Sequence, residues 1–456
     1  MPKKALNRRE FLKKTTGIAA GAVTFPYIVR SSALGKLGSA APSNRIVVGC
    51  IGVGSQGSGV MYDFLAQKDA YVEAVCDVKA DMLEAARRRV NEHYQSSGCA
   101  VYHDFRELLA RDDIDVVLIA TPDHWHVLIA LAAVKAGKDI YLEKPMGLSL
   151  TEDQALRDAV HHYGTVFQFG TQQRSSSQFR LACELVRNGR IGKLHTINVW
   201  APGSVAGGPT EPVPVPEGLD YDMWLGPAPF TPYTEHKCSA DGAKKTWWCI
   251  SDYAFGFIGG WGVHPLDIAL WGGGTELGSA VEIEGAGTFP SEGACDTAID
   301  WDIMFEYDSG VKMHYIAVPI ENNAEAVLNN KAYQHRYGKT TSHGTAFEGT
   351  EGWVHVDRMG INAHPKKLLE SVIRPEELHL YESKNHVRNL LDCVKKRAKT
   401  ICPIDEAVRA NIVCHFSDIA TRLGRKLRWD PENERFVNDD AANRMLKRAM
   451  RSPWHL

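Results

Sequence analysis

A glycine-rich turn between an apolar strand and a helix is the sequence feature that most constrains the fold. Residues 45–51 form an apolar run, and Gly52-x-Gly54-x-x-Gly57 follows it directly. Such a run is typical of a parallel strand that is covered on both faces. An apolar pattern with helical spacing then occupies residues 60–65. This order predicts a doubly wound α/β domain whose glycines allow a tight turn and the close approach of a dinucleotide pyrophosphate.

An acidic residue at the end of the next predicted strand agrees with that interpretation. Asp77 follows the strand 71–76 and lies 20 residues beyond Gly57, where a carboxylate can accept a hydrogen bond from a ribose 2′-hydroxyl. The same carboxylate would repel a 2′-phosphate, so the sequence predicts NAD rather than NADP. Lys79 lies nearby and weakens this preference.

Two further turns follow later strands of the same predicted sheet. The sequence TPDHWH at 121–126 follows one strand, and Glu143-Lys144-Pro145 follows the next. Ligands bind at this edge of doubly wound sheets. We interpret Asp123 as a helix cap, and the two histidines either line the cofactor cleft or pack in the core. Lys144 is predicted to face the nicotinamide, the alternative being an exposed surface lysine. The predicted cofactor contacts are Gly52, Gly54, Ser55, Gln56, Gly57, Asp77, Thr121, Pro122, His124, His126, Glu143, Lys144 and Gln172.

The composition is that of a globular chain and argues against several classes of function. The 456 residues, of which 44% are hydrophobic and 23% charged, predict two or three domains with sizeable cores. A net charge of -3 gives no electrostatic basis for binding nucleic acid. No apolar run reaches the roughly 20 residues that cross a bilayer. The ten cysteines include no metal-spaced pair, so we predict no metal site and interpret most of them as buried apolar residues, with a disulfide left open.

The N-terminus has the pattern of an export signal. The twin arginine Arg8-Arg9 is followed by Phe11-Leu12 and then by a mild apolar stretch over residues 17–29. This pattern indicates the twin-arginine pathway, which moves folded proteins. The alternative is a solvated basic terminus. We therefore predict the twin-arginine translocase as a transient partner and an extracytoplasmic, periplasmic location, with a membrane tether if the signal is retained.

Several longer motifs resemble one family of oxidoreductases. They are Gly52-x-Gly54-x-x-Gly57, Thr121-Pro122, Glu143-Lys144-Pro145, Gly170-Thr171-Gln172-Gln173-Arg174, the run LVRNGRIG at 185–192, Trp224-Leu225-Gly226-Pro227, and Gly262-Val263-His264-Pro265-Leu266-Asp267. The chain resembles the Gfo/Idh/MocA family, named after glucose-fructose oxidoreductase, inositol dehydrogenase and a rhizopine catabolism protein. The resemblance covers nearly all of the chain from residue 44 and implies sugars, cyclitols or related polyols as substrates.

The predicted architecture is α/β with two sheets of different type. Residues 1–41 are assigned to the signal and a linker, and 42–166 to an NAD-binding Rossmann domain with a doubly wound parallel sheet. Residues 167–385 are assigned to a substrate-binding α/β domain with a large open, mainly antiparallel sheet, because period-two alternation over 299–307 leads through a turn into 311–318. Residues 386–456 are predicted to be a helical segment that packs on the other domains. The resemblance implies a homo-oligomer formed through the open sheet.

The substrate side is predicted mainly from the resemblance. His264 matches the family's active-site histidine, and many members carry an aspartate four residues before it, where this chain has Gly260. Either Asp267 or Asp252 stands in for that aspartate, or the chemistry differs. A histidine at the amino end of a helix has a lowered pKa, and a neutral imidazole can pass a proton. The predicted catalytic residues are Lys144, His264 and Asp267, and the predicted substrate contacts are Arg174, Trp248, Tyr253, Trp261 and His264.

Two functions follow from these residues and the resemblance. The leading hypothesis is an NAD-dependent oxidoreductase that transfers a hydride between a sugar or polyol carbon and a tightly bound nicotinamide, with Lys144 and His264 handling the proton. The alternative is an NAD-dependent glycoside hydrolase or lyase that works by transient oxidation, elimination and re-reduction. The missing aspartate at Gly260, the aromatic residues before His264 and the predicted export all fit the alternative.

Overall fold

The computed structural model describes residues 44–239, 246–319, 333–338 and 340–456. The predicted export signal lies outside the described residues, so export stays a prediction. Residues Ile46–Leu456 form one compact unit. Among the described helices, none has the length and apolar character needed to pass through a bilayer.

The first sheet is parallel and has six strands. The strands are β1 (Ile46–Ile51), β2 (Ala70–Cys76), β3 (Ala100–Tyr102), β4 (Val116–Ile119), β5 (Asp139–Leu142) and β6 (Phe167–Phe169). Their order is β3-β2-β1-β4-β5-β6, which is the order of a doubly wound dinucleotide-binding sheet. The intervening helices are α1 (Ser55–Leu65), α2 (Ala80–Tyr94), α3 (Phe105–Leu109), α4 (Asp123–Lys135) and α5 (Leu150–Tyr163). The predicted Rossmann fold is confirmed, and β6 carries its sheet past residue 166.

The second sheet is open and has nine strands. They are β7 (Leu194–Pro202), β8 (Val281–Thr288), β9 (Asp300–Tyr307), β10 (Lys312–Val318), β11 (Gly344–Gly349), β12 (Gly352–Asp357), β13 (Gly360–His364), β14 (Leu427–Asp430) and β15 (Arg435–Phe436). Their order is β13-β12-β11-β7-β10-β9-β8-β14-β15. Strands β7 and β10 pair in parallel, whereas all the other pairs are antiparallel. The predicted hairpin is confirmed as β9 and β10, whose buried side chains alternate with exposed ones.

The helices of the second half cover this sheet and join it to the first. They are α6 (Ser177–Arg187), α7 (Tyr221–Leu225), α8 (Phe257–Gly260), α9 (Val263–Gly273), α10 (Gln334–Tyr337), α11 (His386–Lys396), α12 (Ile404–Leu423) and α13 (Asp440–Arg444). Helix α11 buries Val387, Leu390 and Leu391 in the core of the Rossmann sheet, while α12 contacts α9 and β8. The C-terminal segment is therefore not purely helical, because β14 and β15 extend the second sheet.

Candidate active site

The glycine turn after β1 leaves no room for side chains. Gly52 has φ +80°, and a Cβ there would lie 2.6 Å from the carbonyl of Ala120. A Cβ at Gly57 would lie 1.9 Å from the carbonyl oxygen of Gly52. Helix α1 begins beyond Gly54 with no acidic residue in its first turn and no side-chain cap. Its first N–H groups are therefore open toward the turn, which is the arrangement that binds a phosphate.

Asp77 lies at the end of β2 with its carboxylate held beside the glycine turn. Its Oδ2 accepts a hydrogen bond from the Val53 N–H at 2.9 Å, and its Oδ1 accepts one from the Lys79 N–H at 3.0 Å. Burial raises the pKa of Asp77, and these two backbone donors oppose that rise. Asp77 lines the cleft, and the two N–H donors leave its carboxylate able to accept further hydrogen bonds. The position suits a ribose hydroxyl.

A single cleft collects most of the predicted cofactor contacts. The residues from that set which line it are Gly52, Gly54, Ser55, Gln56, Asp77, Thr121, Pro122, His126, Glu143 and Lys144. The hydroxyl of Thr121 is buried there and has no hydrogen-bond partner among the residues that the structure describes. An unpartnered buried hydroxyl is costly unless a ligand satisfies it. The glycine turn, the Asp77 carboxylate and the Thr121 hydroxyl together fit a bound dinucleotide.

Glu143 is the centre of a hydrogen-bond network below the cleft. Its Oε1 accepts hydrogen bonds from the side-chain amides of Gln56 at 3.0 Å and Gln172 at 2.9 Å. Gln172 also donates to the hydroxyl of Tyr141 at 3.1 Å. Burial raises the pKa of Glu143, while the charge of Lys144 and these amides oppose the rise. Among the residues that the structure describes, Gln172 does not line the cleft. It positions Glu143, which does line the cleft.

Lys144 projects its ammonium into the cleft. Its Nζ donates a hydrogen bond to the carbonyl oxygen of Gly260 at 3.1 Å and lies 5.1 Å from the ring centroid of Trp248. Burial lowers the pKa of Lys144. The carboxylates of Glu143 and Asp123 oppose this decrease, and the charge of Arg358 adds to it. Lys144 thus has the environment of a lysine that exchanges protons.

Two carboxylates act on the charge of Lys144: Glu143, and Asp123 at the start of α4. Asp123 is buried, its pKa is raised well above the usual range by desolvation, and the charge of Lys144 opposes that rise. Asp267 and Asp252, the two residues expected to replace the absent aspartate, do not line this cleft among the described residues. Asp252 lies by His124 and Arg448 along a separate groove. Sequence reasoning assigned Asp123 only a capping role, although its place at a strand's carboxyl end was a usable signal.

Asp267 and Arg174 form a buried ion pair instead of lining the cleft. The guanidinium of Arg174 donates to Asp267 Oδ2 at 2.8 Å and to Oδ1 at 2.6 Å. It also contacts the carboxylate of Glu406 at 3.0 Å. Arg174 is 2% exposed and Asp267 is 0% exposed. The predicted catalytic role of Asp267 and the predicted substrate role of Arg174 are thus replaced by a structural one, which fastens the turn 172–175 to α9 and α12.

His264 lies in the first turn of α9, as expected, and is buried. No described residue forms a hydrogen bond with its Nδ1, and its ring centroid lies 5.7 Å from that of Trp261. The pKa of His264 is lowered well below its usual value by burial first and then by the charges of Lys144 and Arg358. The imidazole is therefore neutral near pH 7 and can accept a proton.

The two histidines after β4 have different places. His126 lines the cleft, with Nδ1 2.6 Å from the Pro145 carbonyl oxygen and Nε2 2.9 Å from that of Thr121. It links the two turns that flank the cleft. His124 lies with its Nε2 2.9 Å from the Trp224 carbonyl oxygen and does not line the cleft among the described residues. Its predicted cofactor contact is a packing contact.

The predicted aromatic platforms also separate into two groups. Trp248 lines the cleft beside Lys144, and Trp261 lies partly exposed against His264. Tyr253 is 1% exposed and its hydroxyl pairs with the Thr231 hydroxyl at 2.8 Å. Burial raises the pKa of Tyr253. Tyr253 belongs to an aromatic core with Trp224, and its predicted substrate contact is therefore corrected.

Comparison with protein families agrees with this geometry. The NAD-binding Rossmann fold of one oxidoreductase family matches residues 46–171, and the C-terminal alpha/beta domain of the same family matches residues 199–456. The chain belongs to the Gfo/Idh/MocA oxidoreductase family. Its Rossmann domain is accordingly an NAD-binding domain, and NAD is its cofactor.

Individual relatives are similar over parts of this Gfo/Idh/MocA protein. A "Glycosyl hydrolase family 109 protein 1" of Shewanella sp. (strain MR-4) is 30% identical over 203 residues, 41% of this chain and 44% of that protein. An "Alpha-N-acetylgalactosaminidase" of Shewanella oneidensis is 29% identical over 204 residues, again 41% and 44%. The chain thus spans less than half the length of these relatives. The solved structure of a levoglucosan dehydrogenase complexed with NADH has TM-score 0.59 and 17% identity, covering 84% of this chain and 99% of that one, which shows a common fold.

Two side chains beside His264 were not found by sequence reasoning. His343 immediately precedes β11, and Arg358 lies in the turn between β12 and β13. Both lie more than 75 residues beyond His264. No local motif marks them, because only the pairing of β7, β11 and β12 brings them to α9.

Proposed function

We propose that this protein oxidises a hydroxyl-bearing carbon of a sugar or polyol, with NAD held on the enzyme. The single observation that carries the proposal is the position of Lys144, whose partly buried ammonium shares one cleft with the glycine turn and Asp77. Nicotinamide, when bound, supplies a hydride acceptor. The residues suited to hold the dinucleotide are the glycine turn, Asp77 and Thr121.

Lys144 is proposed to bind the reacting hydroxyl and to take its proton. The lowered pKa of Lys144 makes the neutral amine accessible at lower pH than for a free lysine. Asp123 stabilises the protonated form, so the pair can hold the proton that the hydroxyl releases. The Gly260 carbonyl fixes the Nζ at 3.1 Å while leaving its other two positions free for the substrate.

His264 and Trp248 are proposed to complete the substrate side. A neutral imidazole with a free Nδ1 can hydrogen-bond a neighbouring hydroxyl or accept its proton. The partly exposed face of Trp248 suits the apolar face of a sugar ring. Both side chains exclude water from the space around Lys144, which strengthens its electrostatic interactions.

An NAD-dependent glycoside hydrolase is the second candidate. Two observations favour it: the relatives named glycosyl hydrolase family 109 protein and alpha-N-acetylgalactosaminidase, and Gly260 at the position where many dehydrogenases of the family carry an aspartate. A transient oxidation would also need a base such as Lys144 to take the proton of the hydroxyl. The same site therefore suits the oxidoreductase and the hydrolase reactions. Such a reaction does not require the paired carboxylates of ordinary glycosidases.

Absorbance at 340 nm on natively purified protein distinguishes the two candidates. Free sugars, myo-inositol and nitrophenyl glycosides are added one at a time to protein that retains its nucleotide. A lasting rise with a free sugar or myo-inositol supports the oxidoreductase. Release of nitrophenol without a lasting rise supports the hydrolase. If neither signal occurs with any of these compounds although NAD is present in the extract, both proposals are wrong.

Export and assembly remain proposals that fit this chemistry. We propose that the twin-arginine pathway exports the protein after it has folded around its NAD, since NAD is not replenished outside the cytoplasm. We also propose a homo-oligomer in which open second sheets face each other. Size-exclusion chromatography with light scattering tests the assembly, and a monomer would contradict it.

A further inference from the structure

A cluster of basic and aromatic side chains adjoins Lys144 on the substrate side. We call Trp261, His264, His343 and Arg358 the Trp261 cluster. The ring centroid of Trp261 lies 5.7 Å from that of His264 and 5.1 Å from that of His343, while the Arg358 guanidinium carbon lies 4.9 Å from the Trp261 centroid. Trp261 directly follows Gly260, whose carbonyl accepts the hydrogen bond from Lys144. The cluster is therefore continuous with the reacting centre.

Three buried ring nitrogens of this cluster have no hydrogen-bond partner within the described part of the chain. They are Nδ1 and Nε2 of His343 and Nδ1 of His264. His343 is 7% exposed and His264 is 3% exposed. Buried polar groups are normally hydrogen-bonded, and leaving them unsatisfied costs about 1–3 kcal/mol each. Three such nitrogens around one tryptophan indicate a place that a polar ligand fills.

Arg358 supplies the positive charge of the cluster, because their lowered pKa values leave His264 and His343 neutral near pH 7. Among the described residues, Arg358 makes no ion pair, and desolvation alone lowers its pKa. Burial lowers the pKa of His343 to about 4, with Arg358 adding to the decrease and Asp357 opposing it.

The nearby carboxylates are already engaged. Asp357 accepts hydrogen bonds from the N–H groups of Thr341 at 2.9 Å and Met359 at 2.8 Å. Glu143 is bound by Gln56 and Gln172, and Asp123 faces Lys144. The charge of Arg358 meanwhile acts on Lys144, His264 and His343 together. The N–H groups of the Arg358 guanidinium are thus free of any carboxylate partner among the described residues, so they are available to an anionic ligand.

We propose that the Trp261 cluster binds an anionic substituent of the sugar substrate, a carboxylate or a phosphate, next to the hydroxyl held by Lys144. This proposal rests on the proposed function in one respect, which is that the ligand is a sugar. Arg358 presents planar donors that match either anion in a bidentate way. A neutral His343 adds one donor, and the face of Trp261 that Arg358 leaves free suits the sugar ring.

The test compares binding of three probes to NAD-loaded protein by titration calorimetry. The probes are D-glucuronate, D-glucose 6-phosphate and D-glucose, and the variants are Arg358→Gln and Arg358→Lys. Arg435→Gln, an exposed arginine on β15, is the matched control. We expect at least one anionic probe to bind about tenfold more tightly than glucose to the unaltered protein. The ratio should fall to about one in Arg358→Gln, recover in part in Arg358→Lys and stay unchanged in Arg435→Gln.

Each outcome decides the proposal. If the three probes bind equally or not at all, or if Arg358→Gln retains the preference, the proposal is wrong. Arg358 is exposed, so we expect its replacement to leave the fold intact, and equal thermal midpoints of the variants check this. A preference for one anion over the other identifies the substituent. Anion preference with neither an absorbance rise at 340 nm nor nitrophenol release from any compound of the earlier assay would retain the anion site and overturn the proposed function instead.

Discussion

The two halves of the active site are built in different ways. The cofactor half consists of turns at the ends of β1, β2, β4 and β5, which all lie between residues 52 and 144. The substrate half takes its residues from short helices, the first turn of α9 and two positions beside strands, which together span more than a hundred residues. They are Trp248, Gly260, His264, His343 and Arg358. The cofactor half therefore consists of local sequence motifs that follow one another along the chain. The substrate half comes together only when the second sheet has formed.

This difference predicts which substitutions should leave NAD binding intact. Parallel strands deliver their carboxyl ends to one edge of the sheet, so the cofactor half follows from chain order. The substrate half depends on the register between β7, β11 and β12 and on the α9 segment. We therefore expect NAD binding to survive changes on the substrate side, and the following predictions test that separation.

The largest effect is expected on the turnover rate of the variant Lys144→Met. Methionine fills similar space but carries no proton, so turnover should fall by about 10³-fold. NAD content should stay close to that of the unaltered protein, because the glycine turn and Asp77 are untouched. Turnover and extracted nucleotide are measured together. Lys426→Met, on the exposed surface near β14, is the control and should change neither quantity. Loss of NAD from Lys144→Met would contradict the prediction, because it would show that Lys144 is needed to hold the cofactor and not only to move a proton.

The next effect concerns stability and the Arg174–Asp267 pair. Asp267→Asn leaves a buried guanidinium with only Glu406 as its acid, so the free energy of unfolding should fall by about 3–5 kcal/mol. Denaturant unfolding measures this change. Asp158→Asn, which alters a surface pair with Arg157, is the matched control and should have little effect. If Asp267→Asn left stability unchanged but abolished turnover, Asp267 would be catalytic after all.

A smaller effect is expected at Asp77. Asp77→Ser removes the charge that repels a 2′-phosphate, so the preference for NAD over NADP should fall by about tenfold, equal to about 1.4 kcal/mol. Binding constants of both nucleotides are compared after the protein has been stripped and reloaded. The stability of the turn is checked separately, because the Val53 and Lys79 N–H groups lose their acceptor. An unchanged preference would show that Lys79 or the shape of the cleft sets it.

The smallest effect is a shift in pH dependence. A base with a lowered pKa becomes active as pH rises through that pKa, so oxidation should increase with pH and level off below the usual lysine value of about 10.4. The Asp123 carboxylate raises the pKa of Lys144, so Asp123→Asn should move this rise to lower pH. Single-turnover rates across pH measure both profiles. A shift to higher pH in Asp123→Asn would contradict the pairing.

The sequence was sufficient for the fold class and for most of the cofactor half. Strand–glycine–helix order, Asp77 and the two later strand ends are local patterns with fixed structural consequences, and the observed strand order agrees with them. It was insufficient for the substrate half. Arg174 and Asp267 stand in family-like motifs, yet they pair with each other in the core. No local sequence motif marks His343 or Arg358, because only the pairing of distant strands brings them beside Trp261.

The most direct test of the account is the fate of the substrate hydrogen. Protein that retains NAD is mixed in a single turnover with D-glucose or myo-inositol deuterated at every carbon, and the nicotinamide is extracted for mass spectrometry. The account predicts one deuterium on the nicotinamide in the unaltered protein and none in Lys144→Met, although both hold NAD. Unlabelled nicotinamide from the unaltered protein, with the deuterated sugar consumed, would contradict hydride transfer and with it the proposed function.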